Sequence, residues 1–90
     1  MTAALAAESV ALQRQFDRAQ DWLANSEGND GWSAAAFATQ TWLRLSPDEL
    51  STFSEELIAL TQRWSHRELP ADGVERDTVF VFARGFPAQP

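Results

Sequence analysis

WLRLSPDELSTFSEELIALTQRW, Trp42 to Trp64, is the stretch on which the fold turns. Its middle, Ser46-Pro47-Asp48-Glu49, carries each element of a helix start. The Ser46 side chain can accept from the amide three residues on, Glu49 can reach back to the Ser46 amide, and Pro47 stands where its missing donor costs nothing. Asp48 and Glu49 add negative charge at the positive end of the helix dipole. Beyond them Leu50, Phe53, Leu57, Leu60 and Trp64 step by three, four, three and four, with Ile58 widening the stripe. That is the spacing of an amphipathic helix, and Pro70 and Gly73 require it to end near Ser65 to Arg67.

Upstream of this signal the reading divides. Ala34, Ala35, Ala36 and Ala38 favour a helix, whereas Phe37, Thr39, Thr41, Leu43 and Leu45 alternate with Ala36, Ala38, Gln40, Trp42 and Arg44 as on a pleated surface. The alternation, ending against a strong helix start, predicts a strand over the second half of 32–45. Downstream, 67–77 reads as a polar loop around Pro70, Asp72 and Gly73. Thr78 to Ala83, TVFVFA, predicts a second strand apolar on both faces, and residues 87–90 form a tail.

The amino-terminal part supplies a second amphipathic stripe. Leu5, Leu12, Phe16, Ala19 and Leu23 share one side, with Val10 and Trp22 widening it, and Gln13, Arg14, Asp17, Arg18 and Asp21 fill the other. This predicts a helix from Thr2 to about Asn25. The turn formers of 25–31, NSEGNDG, then predict a loop. The expected fold class is therefore α+β: one small domain over 1–90 in the order helix, strand, helix, strand. Two strands make a poor sheet, so pairing between two copies of the chain is expected to complete it.

Composition narrows the function classes. The chain has 90 residues, a net charge of −6, no cysteine and no lysine, and its seven cations are dispersed arginines. Sequence-independent DNA or RNA binding needs clustered cations to displace counterions, so no direct nucleic-acid contact is expected. Disulfides and thiolate metal sites are excluded, and the absence of cysteine fits a cytoplasmic location. The first residues have neither a basic leader nor an uninterrupted apolar span of about 20 residues, so no membrane segment is expected.

No group stands out as catalytic. His66 is the only histidine, with only Glu68 close in sequence, and it falls where a surface histidine benefits from the negative end of a helix. Asp48-Glu49 and Glu55-Glu56 are adjacent pairs that diverge on a helix and make no acid/base dyad. There is no nucleophile elbow and no phosphate cradle. The expected catalytic, metal and cofactor complement is none, and the chain is expected not to be an enzyme. The aromatic residues remain. Trp32, Phe37, Trp42, Phe53, Trp64, Phe80 and Phe82 are the candidates for a dimer interface or a ligand site, since large rings dominate both.

Trp42, Leu43, Leu45, Ser46, Pro47, Asp48, Glu49, Leu50, Leu57, Leu60 and Trp64, followed by Phe80 and a closing Phe86-Pro87, resemble the carboxy-terminal domain of ArsR-like winged helix-turn-helix transcriptional regulators. Trp22 and the Gly31-Trp32 opening are compatible with it, so the resemblance extends over nearly the whole chain. It implies a domain that forms homodimers and senses an effector, a small apolar or aromatic molecule, while a separate winged-helix domain reads DNA. No winged helix lies in these residues, which leaves two expectations: a fragment of a regulator, or a freestanding relative that forms heterodimers with full-length regulators. A small-molecule-binding module with an aromatic pocket is the alternative. With no cysteine and one histidine, metal sensing is not expected.

Overall fold

The computed structural model describes residues 2–28 and 30–90, and it holds three helices: α1 (Ala3–Asn25), α2 (Asp30–Ala35) and α3 (Pro47–Ser65). They belong to two units, one extending to Gln40 and the other from Thr41 onward.

In the first unit, α1 covers the span that its stripe predicts. Thr2 caps it: its hydroxyl accepts from the Leu5 amide at 3.1 Å and its carbonyl from the Ala6 amide at 3.0 Å. At the other end the Asn25 side-chain amide donates to the Asp21 carbonyl at 2.8 Å, one turn back along the helix. Gly28, at φ 87°, then reverses the chain in the left-handed region that a side chain resists. The loop expected through residue 31 is shorter than that. α2 begins at Asp30, takes in Gly31, and runs on into the alanines, whose helix propensity outweighs one glycine in a first turn. The Ser33 hydroxyl donates to the Ser26 carbonyl at 3.1 Å and ties α2 to the end of α1.

The second unit is built on α3. Ser46 and Glu49 form the reciprocal cap that the sequence announces, with the Ser46 hydroxyl accepting from the Glu49 amide at 3.2 Å and a Glu49 carboxylate oxygen accepting from the Ser46 amide at 2.9 Å. The helix stops at His66, whose amide still donates to the Gln62 carbonyl at 2.9 Å. A carboxy-terminal segment returns to α3 near its start: a methyl group placed on Gly85 would lie 3.3 Å from Cδ1 of Leu50.

The α+β expectation is overturned. Among the described residues there is no strand, so the fold is all-α, and both predicted strands, in 32–45 and at 78–83, are chain without a ladder. Alternation and β-branching make a backbone extended, but a strand also needs a neighbour for its amides and carbonyls. None is provided here, and the sheet shared between copies has no basis in this structure. No described residue is buried; Leu50 and Leu57 on α3 are half-buried, while Phe53 keeps 43 % of its surface and Trp64 keeps 65 %.

With no buried side chains, local terms carry the helices, and the cap of α3 is the largest of these. Ser46→Ala is expected to cost about 1 kcal/mol of helix stability. In far-UV circular dichroism it should lower the helix signal, whereas Ser51→Ala within the same helix should leave the signal equal or slightly higher.

Candidate association surface

The seven aromatic candidates are distributed along the chain and not gathered. Trp32 lies on α2 and Phe37 just beyond it, both in the first unit. Within the second unit, Trp42 lies in the lead-in to α3, Phe53 and Trp64 lie on α3, and Phe80 and Phe82 lie in the carboxy-terminal segment. Phe80 and Phe82 meet at 5.6 Å between ring centres, tilted by 30°, because alternate residues of an extended segment share a side. Trp64 carries the Arg67 guanidinium 5.0 Å from its ring centre, a cation–π contact across one helical turn. All seven side chains are exposed, so as they stand they line a surface and do not wall a pocket.

Phe53 is set in a concavity. With Leu45, Thr52 and the carboxylates of Asp48, Glu49 and Glu56 it lines an open depression of about 380 Å³ beside the start of α3. Its floor is apolar and its rim acidic. Asp48 and Glu49 stand there because a helix start favours acidic side chains, whereas Glu56 lies two turns further along α3. The arrangement lacks the enclosing aromatic walls expected of an apolar or aromatic effector site. Among the described residues no group of three or more His, Asp or Glu side chains is placed to hold a metal ion.

Two features were not anticipated from the sequence. Asp72 organises its loop: the carboxylate accepts from Arg76 at 2.8 and 3.1 Å and from the Val74 amide at 3.0 Å, around a Gly73 at φ 70°. The Arg67–Trp64 contact is the other. Asp-Gly followed by an arginine, and an aromatic three residues before an arginine at a helix end, are the local signals that would have disclosed them. Neither places a reactive group against another.

No helix among the described residues is long and apolar enough to cross a membrane. Comparison with protein-family models, with curated proteins and with solved structures gives no match.

Both notable carboxylates titrate low. The hydrogen bond from the Ser46 amide, then that from the Ser46 hydroxyl, holds the Glu49 carboxyl below the usual carboxylate range. A depressed value in the folded state means that this contribution is in place above the ordinary carboxylate pKa of about 4.3 and disappears as the pH falls through the lowered one. The helix signal should therefore decline on acidification below about pH 4.3, and Glu49→Gln should flatten that decline. Arg76, followed by the Val74 amide, holds Asp72 low in the same manner. In a carboxyl-carbon NMR titration, Arg76→Ala should move the Asp72 midpoint upward toward the ordinary value; an unmoved midpoint would show that the ion pair is not maintained in solution.

Proposed function

We propose that this chain is a non-enzymatic association module: the homodimerising, effector-sensing part of a transcriptional regulator of the ArsR-like kind, with DNA contact left to another domain. The observation that carries the proposal is the uncovered apolar surface. The chain exposes 8619 Å². In each unit the large apolar side chains stay open, Leu5, Phe16 and Leu23 in the first and Phe53, Ile58 and Leu60 in the second among them. Large apolar patches mark association sites in soluble proteins.

Three further points support the reading. The net charge of −6 with dispersed arginines disfavours nucleic acid as the direct partner. In the second unit the open depression beside α3 is lined by Phe53 and Leu45 with Asp48, Glu49, Thr52 and Glu56, a set that includes no histidine. The regulator assignment rests on the Ser46-Pro47-Asp48-Glu49 start, the leucine stripe and the Phe86-Pro87 close.

If folding and association are coupled, stability depends on concentration. Sedimentation equilibrium and thermal unfolding followed by circular dichroism are expected to show a dimer, with a melting temperature that rises over roughly a hundredfold increase in concentration. A monomer throughout, with a sharp melt independent of concentration, would remove the proposal.

A further inference from the structure

The first unit offers a seam with an internal symmetry. Apart from Val10 and Trp22, which lie off its centre line, the large apolar residues on one side of α1 are Leu5, Leu12, Phe16 and Leu23, separated by seven, four and seven positions. Read backwards, the spacing is unchanged. Leu5 and Leu23 stand equally far from position 14, as do Leu12 and Phe16. Between them the small residues Ser9 and Ala19 are also equidistant from it. In a helix these positions fall within one narrow stripe, the a and d sites of a heptad seam, while Arg14 points the opposite way. The stripe on α3 steps by three, four, three and four and lacks this reversal symmetry.

The seam is also open. Leu5 is 58 % exposed, Leu12 49 %, Phe16 53 % and Leu23 70 %, while Ala19 on the seam is partly shielded, as are Ala11 and Gln15 beside it. Ala6, Gln13 and Gln20 border one edge, so a chain of net charge −6 would not set like charges against each other there.

A pattern equal to its own reverse suits a contact between two identical helices running in opposite directions about a two-fold axis, since such a contact uses the same patch on both partners. We infer that the occupant of the α1 stripe is the α1 of a second copy, packed antiparallel about a two-fold axis at the level of Arg14. Leu5 then meets the other copy's Leu23, Leu12 meets its Phe16, and Ser9 meets its Ala19. Opposed macrodipoles favour this direction over the parallel one. This inference rests on the dimer proposed above and adds where and in which direction the copies meet.

The absence of native cysteine makes the test direct. Ser9→Cys and Ala19→Cys chains are prepared separately, checked for unchanged helix signal, and oxidised alone and as a mixture. The mixture should give a covalent dimer in at least tenfold higher yield than either variant alone. As a second measurement, Leu12→Arg should weaken dimerisation at least tenfold, while Ala7→Arg, on the opposite side of α1, should not. Efficient linking of Ser9→Cys chains to one another would mean a parallel pair and overturn the inference. So would a dimer in sedimentation with no cross-link and no effect of Leu12→Arg, which would leave association itself standing. A monomer at every concentration would remove both.

Discussion

An amphipathic helix in water normally draws most of its stability from the face that it buries, because nucleating a helix is unfavourable and each added residue gains little. In this chain that source is largely withheld. α1 and α3 carry well-formed apolar stripes, yet no described side chain is buried. What remains is local: the Thr2 and Ser46 caps, the Asn25 side chain on the Asp21 carbonyl, the acidic first turn of α3, and one tight approach at Gly85. Each such term is worth on the order of 1 kcal/mol. The helices are consequently well specified in position and poorly supported in depth.

That balance explains what could be read from the sequence. The ends of α3 were legible because Ser46, Pro47 and Glu49 act on amides within four residues of themselves, and α1 was legible because its stripe and its polar side are both continuous. The strands were misread for the converse reason. Phe37 to Leu45 and Thr78 to Ala83 have the alternation and the side chains of strands, but the feature that makes a strand is a partner elsewhere, and composition does not reveal whether one exists. α2 was half-legible: the alanines argued for it, and Gly31 concealed its start. The Asp72 loop and the Arg67–Trp64 contact are as local as any cap and were present in the sequence. The aromatic candidates could be named from composition, but their relation to one another depends on contacts that no spacing rule supplies.

A single reason connects the association proposal with the all-α outcome. Among the described residues, side chains that a compact domain would place in its core remain on the surface here. Asp48 and Glu49 beside Phe53 answer the requirements of a helix start, so they need no ligand to account for them. The reversal symmetry of the α1 stripe is different in kind. No rule of helix formation asks for a pattern that reads the same from both ends.

The open stripes also bear on how much of the protein a cell can hold. A copy that has not found its partner displays the apolar surface that chaperones and proteases use to recognise unfinished chains, and small differences in stability already change abundance several-fold through such triage. Assembly would then act as a quota. Copies made beyond what can assemble would be cleared, and the standing level would follow the rate at which pairs form more closely than the rate of synthesis.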